Sequence, residues 1–321
     1  MKLIIQIPCL NEAGTLAIAL AALPRAVDGF DKVEWLIIDD GSTDDTSKLA
    51  RELGVDHVLR HPVNRGLATA FMTGLDACLG LGADVIVNTD ADNQYEAADI
   101  PKLVAPVVAG EADMVIGARP IDETEHFSWI KKKLQRLGSW AVRAASKTDV
   151  LDAPSGFRAI SRETAMRLNV FSAYTYTLET IIQAGLSNLR VISVPVRTNP
   201  DLRPSRLVRS ISSYVRRSLL TIVRVVIIYK PLKLFFWAGA ILLAIGSLAG
   251  LRFVVAYLQG AGEGHVQSVV FAAMCIMLGA MLWMMGALSD LIATNRKLLE
   301  RLNWRMQRLE GRVDAPQNDR A

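Results

Sequence analysis

The chain has 321 residues, a formal net charge of +4 at pH 7 and a hydrophobic fraction of 51%. Its mean hydropathy of +0.27 is too high for a wholly soluble protein, and the apolar excess is concentrated in two segments of the last third. Basic residues gather beside these segments without any nucleic-acid-binding motif. We therefore expect anionic lipid headgroups rather than nucleic acid as their partners.

Four short apolar runs in the N-terminal part predict buried strands, and helical stretches alternate with them. The runs are residues 3–7, 34–38, 84–88 and 113–117. This alternation predicts an α/β fold with a mostly parallel sheet in a domain of residues 1–203. The first run is too short for the core of a signal peptide. Ligands bind beyond the carboxyl ends of such strands, where the polar motifs of this chain occur.

Polar motifs follow the first two predicted strands. Pro8, Asn11 and Glu12 combine a rigid turn with two polar side chains, which either frame a nucleoside base or only cap the next helix. In Asp39-Asp-Gly-Ser42 the glycine allows a tight turn, and a carboxylate can bind a ribose or base. The alternative for this motif is a simple turn that caps the following helix.

An acidic motif follows the third predicted strand. Asp90 and Asp92 can turn toward one divalent cation there, and Gln94 is a candidate third oxygen ligand. Such ligands suit Mg²⁺ or Mn²⁺, which would neutralise the diphosphate of a nucleotide sugar. The alternative is an acidic, solvated turn.

Residues 234–258 and 266–288 predict two transmembrane helices within a membrane region of residues 233–290. Each is long enough to cross about 30 Å of hydrocarbon, and the long side chain of Arg252 can reach a membrane face. The alternative is a buried helical hairpin in a soluble protein. Helical spacing also predicts an amphipathic juxtamembrane helix over residues 204–232, and a C-terminal helix and tail over residues 291–321.

Basic residues flank both predicted spans, whereas the loop of residues 259–265 carries no Lys or Arg. By the positive-inside tendency, the N-terminal domain and both termini face the cytosol. We expect an integral protein of the cytoplasmic membrane, and the apolar C-terminal stripe is compatible with a homo-oligomer. The three widely spaced cysteines fit a reducing compartment and packing roles.

Six motifs occur in an order that resembles family-two glycosyltransferases. They are Pro8-Cys-Leu-Asn-Glu12, Asp39-Asp-Gly-Ser-Thr-Asp44, Asn64-Arg-Gly66, Asp90-Ala-Asp-Asn-Gln94, Gly117-Ala-Arg119 and Ser155-Gly-Phe-Arg158. The nearest branch is similar to the polyprenyl-phosphate glycosyltransferases, which include dolichol-phosphate mannose synthase. The resemblance implies a GT-A fold, a nucleoside-diphosphate sugar donor, a divalent metal and an inverting single displacement at the anomeric carbon.

Roles are expected at the matching positions and at nearby cations. The expected metal ligands are Asp90, Asp92 and Gln94. Donor binding is expected from Pro8, Asn11, Glu12, Asp39, Asp40, Gly41, Arg65, Gly66 and Asp90. Catalytic roles are expected for Asp92, Arg119 and Arg158. The acceptor phosphate is expected to contact Arg119, Lys131, Lys133, Arg136 and Ser155. The alternative for the lysines is that they only form a solvated helix face.

Family-two enzymes that act on sugar hydroxyls usually place a base carboxylate where this chain has Ser155-Gly156. A lipid phosphate is already ionised at neutral pH and needs no such base, so this difference favours a phosphate acceptor. Asp152 or Glu179 is an alternative base.

The sequence thus predicts transfer of one sugar from a UDP- or GDP-linked donor to a polyprenyl phosphate at the cytoplasmic membrane face. The product would be a lipid-linked monosaccharide for cell-envelope glycans. The alternatives are a glycosyltransferase acting on a lipid hydroxyl or a glycan, and a non-catalytic membrane scaffold.

Overall fold

The structure, a computed structural model, describes residues 1–120, 139, 142, 143, 146, 148–170, 176–200, 231–259 and 266–313. The chain divides into one unit of Met1–Ile222 with Leu302–Ala321, and a second unit of Val223–Arg301. Residues 204–230 of the predicted juxtamembrane helix lie outside the described residues, so that prediction stays open.

The first unit is built on a sheet with seven strands in the described part of the chain. The strands are β1 Lys2–Cys9, β2 Lys32–Asp39, β3 His57–Arg60, β4 Val85–Asn88, β5 Met114–Ala118, β6 Arg158–Ser161 and β7 Val191–Pro195. Their order is β3-β2-β1-β4-β6-β5-β7, and only β6 runs antiparallel to its neighbours. The predicted mostly parallel α/β fold is confirmed, and the sheet adds β3, β6 and β7 to the four predicted strands.

Helices pack on both faces of this sheet. They are α1 Leu16–Ala22, α2 Thr46–Glu52, α3 Leu67–Gly80, α4 Ile100–Val108, α5 Arg162–Ala165 and α6 Thr177–Leu186, with a 3₁₀ turn at Ala97–Asp99. Ile5 and Ile7 belong to the core cluster shared with α1 and α4. On the other face, Gly74 of α3 lies against Gln6 and Ile38. Burial on both faces explains why the central strands read as unbroken apolar runs.

The second unit contains α7, Pro231–Leu258, and most of α8, Val266–Val313. Two stretches are long and apolar enough to cross a membrane, Leu232–Leu258 and Gln267–Asn295. Only 11% and 22% of their apolar windows are buried, which argues against a buried hairpin in a soluble protein. The predicted C-terminal helix is found as the continuation of α8 to Val313.

Glycines allow α7 and α8 to approach closely. A Cβ atom on Gly279 would lie 3.0 Å from the Gly239 carbonyl oxygen and 2.7 Å from Leu243 Cγ. Small residues at such positions bring helix backbones together in a membrane, where apolar burial alone gives little driving force.

Candidate active site

The sheet register gathers the polar motifs at one edge. Cys9 at the end of β1 pairs with Asp39 at the end of β2, and Asn88 ends β4 on the other side of β1. Because β6 is antiparallel, it starts beside Asn88 with Arg158, so the Ser155-Gly156 segment reaches the same edge. Strand β5 ends just before Arg119. The motifs, distant in sequence, therefore surround one site.

Hydrogen bonds from backbone N–H groups to side-chain oxygens join the loops after β1 and β2. The Asn11 N–H donates to Ser42 Oγ at 2.9 Å, and the Thr43 N–H donates to Asn11 Oδ1 at 2.8 Å. The Glu12 N–H donates to Thr46 Oγ1 at 2.9 Å. Asn11 has a φ of 54°, a left-handed conformation that asparagine tolerates. These bonds make the two loops one rim of the site.

Two predicted donor ligands are buried inside this rim, as Pro8 lies within β1 and Glu12 is 7% exposed. The Thr15 hydroxyl donates to Glu12 Oε2 at 2.9 Å. Asp39 is also fully buried, and it accepts hydrogen bonds from the Ser42 N–H at 2.7 Å and from the Ser47 hydroxyl. These contacts make Glu12 and Asp39 supports of the loops rather than exposed groups.

Asp40 organises the next loop along the edge. Its carboxylate accepts hydrogen bonds from the N–H groups of Arg65 and Gly66 at 2.9 and 2.8 Å, and it lies 2.7 Å from His61 Nδ1. Gly41, with a φ of 76°, leaves no room for a side chain, since a Cβ would lie 2.5 Å from the Val63 carbonyl carbon. Asp40 therefore shapes the rim, and the side chain of Arg65 is left exposed.

Asp90 and Asp92 form the acidic centre of the edge, and both are half-buried. Burial and the charge of Asp92 together raise the pKa of the Asp90 carboxyl to about 7, against the opposing effect of Arg119 and Arg158. Two carboxylates that disfavour each other's charge fit a divalent cation between them. No group of three or more His, Cys, Asp or Glu side chains in the described residues is placed to hold a metal. Gln94 is not one of these residue types, so its role as third ligand stays a prediction, and donor phosphates or water would supply the further ligands.

The loop after Asp92 is supported by a segment that the sequence did not reveal. The Gln94 N–H donates to Asp92 Oδ1 at 3.2 Å, and the Gln94 carbonyl accepts from the Asn199 N–H at 2.9 Å. Asn199 Nδ2 also donates to the Asn93 carbonyl at 3.1 Å. Asn199 is followed by Pro200, and no periodicity or motif connects this dipeptide with the acidic loop, so only the fold identifies it.

Arg119 is held by a buried carboxylate. Its Nε donates to Asp152 Oδ2 at 2.7 Å and its Nη2 to Asp152 Oδ1 at 3.1 Å, while its guanidinium carbon lies 5.9 Å from the Tyr95 ring centroid. Burial alone would lower the pKa of Arg119, but Tyr95 and Asp152 outweigh it and raise the pKa. Arg119 is therefore a permanent cation with a fixed direction at this edge.

Arg158, expected to be catalytic, and Ser155, expected at the acceptor phosphate, are both fully buried. The Arg158 guanidinium donates to the carbonyls of Ser155 and Ala153 at 2.8 and 3.0 Å, and to Thr180 Oγ1 at 2.6 Å. Arg158 thus supports the loop beside Asp90 from within the protein.

Neither of the two alternative bases, Asp152 and Glu179, has an exposed carboxylate. Asp152 is fully buried in its pair with Arg119, and Glu179 of α6 is 2% exposed. Lys131, Lys133 and Arg136 lie outside the described residues, so their expected contact with an acceptor phosphate stays a prediction.

The sequence of this chain matches a known protein family and is similar to named members of it. Residues 4–171 match the family described as glycosyl transferase family 2. A UDP-N-acetylglucosamine–dolichyl-phosphate N-acetylglucosaminyltransferase of Methanococcus voltae is 30% identical over 184 residues, covering 51% of this chain and 73% of that protein. The polyprenol monophosphomannose synthase of Mycolicibacterium smegmatis is 27% identical over 218 residues, covering 64% of this chain and 81% of that protein.

A solved structure is similar to this chain in fold. Glucosyl-3-phosphoglycerate synthase from Mycobacterium tuberculosis, in complex with Mn²⁺, UDP-glucose and phosphoglyceric acid, superposes with a TM-score of 0.54 at 25% identity. The match covers 69% of this chain and 79% of that chain. The predicted GT-A type of fold is confirmed.

Proposed function

Since the chain belongs to glycosyl transferase family 2 and is a glycosyltransferase, we propose that it transfers one sugar from a nucleoside-diphosphate sugar to a polyprenyl phosphate, with inversion at the anomeric carbon. The observation that carries the choice of acceptor is the Arg119–Asp152 pair. The pair engages Asp152, one of the two alternative bases, and it fixes a cation whose charge acts on Asp90. The names of the relatives from M. voltae and M. smegmatis support the same acceptor.

The proposed reaction is a single displacement. An ionised oxygen of the lipid phosphate attacks the anomeric carbon, and the bond from that carbon to the β-phosphate oxygen of the donor breaks. The electron pair leaves with the nucleoside diphosphate. No proton has to be removed from the acceptor, so the site needs no general base. Arg119 would steady a phosphate by charge-assisted hydrogen bonds, and Asp152 keeps its guanidinium in place.

Asp90, Asp92 and Gln94 are the residues that would hold Mg²⁺ or Mn²⁺. When bound, a divalent cation supplies positive charge that stabilises the departing nucleoside diphosphate. The loops after β1 and β2 would enclose the nucleoside, with Asp39, Asp40 and Glu12 keeping their shape from within. The predicted cytosolic orientation would place this site at the face where nucleotide sugars are made.

The test is transfer by the purified full-length protein in lipid, with a panel of radiolabelled UDP- and GDP-sugars, undecaprenyl phosphate and Mn²⁺ or Mg²⁺. We expect one donor to give a metal-dependent, organic-phase product that mild acid hydrolyses. An acid-stable glycolipid would instead indicate a hydroxyl acceptor. Full activity with a chelator present would contradict the proposed role of Asp90 and Asp92.

A further inference from the structure

The end of the hairpin where α7 finishes and α8 begins contains a groove of about 430 Å³. The residues that line it are Leu248, Ala249, Arg252, Gln267, Ser268 and Phe271. Nearer the middle of the hairpin the helices touch, since a Cβ on Gly246 would lie 2.9 Å from the Ala272 carbonyl oxygen. At Gly250 the nearest atom is 3.7 Å away, so the helices separate toward the groove.

Arg252 gives this groove its charge. In the described residues of the hairpin as far as Asn295, the only acid is Asp290, which lies about 33 Å along α8 from Ser268 at 1.5 Å per residue. The sequence carries another acid, Glu263, in the connecting segment outside the described residues. Within the described hairpin, then, the exposed guanidinium of Arg252 has no carboxylate near it, and the other charged residue of its span, Lys233, lies in the first turn of α7. A charged side chain within the membrane has a large desolvation free energy unless it binds an anion or water.

We propose that the groove binds the headgroup of one anionic phospholipid. The planar guanidinium of Arg252 suits a phosphate, and Gln267 and Ser268 add neutral hydrogen-bond donors. Leu248 and Phe271 provide an apolar wall along which the first methylene groups of an acyl chain can pack. This wall favours a lipid over a free phosphate. The proposal is independent of the transferase reaction, because every residue of the groove belongs to the hairpin.

Native mass spectrometry of the full-length protein tests this, with phosphatidylglycerol and phosphatidylcholine of identical acyl chains added separately. We expect one phosphatidylglycerol to bind about fivefold more tightly than phosphatidylcholine, which corresponds to one basic residue near a membrane surface. Arg252→Gln should remove the preference. Lys233→Gln, which removes the same charge from the first turn of α7, should keep it.

A second variant distinguishes binding in the groove from non-specific electrostatic attraction of an anionic lipid. Ala249→Phe fills the groove and leaves every charge in place, so we expect it to lose the preference as well. Circular dichroism checks that both variants keep their helices. Persistence of the preference in Ala249→Phe or in Arg252→Gln would overturn the proposal, as would equal binding of the two lipids by the unchanged protein. Displacement of the lipid by excess glycerol 3-phosphate would show that the groove takes a free phosphate instead.

Discussion

The function of a residue at the site depends on the groups that position its side chain, and Arg119 is the clearest case. Asp152→Asn keeps the shape of the buried partner but removes its charge, so the guanidinium loses its anchor. We expect kcat to fall at least about tenfold, the worth of one charge-assisted hydrogen bond, with the fold retained. Asp113→Asn is the matched control, because that carboxylate pairs with Arg190 at 3.5 Å on the surface. Equal turnover in both variants would contradict the role of Asp152.

Gly156 sets the place of Asp90. A Cβ at this position would lie 3.0 and 3.1 Å from the two carboxylate oxygens of Asp90 and 2.9 Å from Tyr176 Oη. Gly156→Ala should therefore displace the carboxylate and weaken Mn²⁺ binding by about tenfold, as expected for a metal ligand moved from its position. Titration calorimetry with the donor nucleotide present measures this. Gly80→Ala, where nothing lies within 4 Å, should bind as the unchanged protein does.

Glu34 makes the stability of the first unit depend on pH. Burial alone would raise its pKa, but hydrogen bonds from Lys2, Lys32 and His57 outweigh it and lower the pKa to about 2, from an ordinary value of 4.5. The network therefore stabilises the fold fully above pH 4.5 and loses its effect as pH falls toward 2. The difference is worth at most about 3 kcal/mol of unfolding free energy.

Thermal unfolding of the unchanged protein and of Glu34→Gln between pH 2 and 6 tests this dependence. We expect the variant to be less stable near neutral pH and to lose less stability on acidification. Parallel curves for the two proteins would show that Glu34 contributes nothing to the pH dependence.

At the scale of elements, the sequence was sufficient where burial is continuous. Strands β1, β2, β4 and β5 were predicted within about two residues because both of their faces are apolar. Strand β3 is a half-exposed edge strand, and β6 begins with the buried Arg158, so neither shows an apolar run. The meeting of the polar motifs at one edge of the sheet was predicted, whereas the directions of their side chains were not. Asp40 and Arg158 face inward because of hydrogen bonds to residues distant in sequence, which no local pattern encodes. Asp39 accepts a local hydrogen bond from the Ser42 N–H, in keeping with the simple turn considered for that motif.

The α7–α8 contact is a second feature of this scale. Gly279→Val would place a branched side chain against the Gly239 carbonyl and Leu243, and such overpacking costs about 1–3 kcal/mol. We expect a lower thermal midpoint for the loss of helix in lipid. Gly250→Ala introduces only an ordinary contact at 3.7 Å and should leave the midpoint unchanged. An unchanged midpoint in Gly279→Val would mean that the helices are not packed in this way.

For the whole molecule, the predicted orientation can be measured with little background. All three cysteines are buried, so an introduced cysteine should dominate labelling by a membrane-impermeant maleimide. We expect Gly262→Cys, in the connecting loop, to react in intact cells. Asn318→Cys, near the C-terminus, should react only after the cells are opened. The opposite pattern would reverse the orientation and remove the site from the compartment of its proposed donor.

The antiparallel strand β6 also has a consequence for how the protein is made. It lies between β4 and β5, so the sheet stays in two pieces with open edges until Ser161 has left the ribosome. Until they are paired, such strand edges can form non-native strand pairs or aggregate with other chains. The sheet can close before synthesis reaches Leu232, where the first span begins. Order of synthesis therefore allows the seven described strands to pair before the two candidate spans are made.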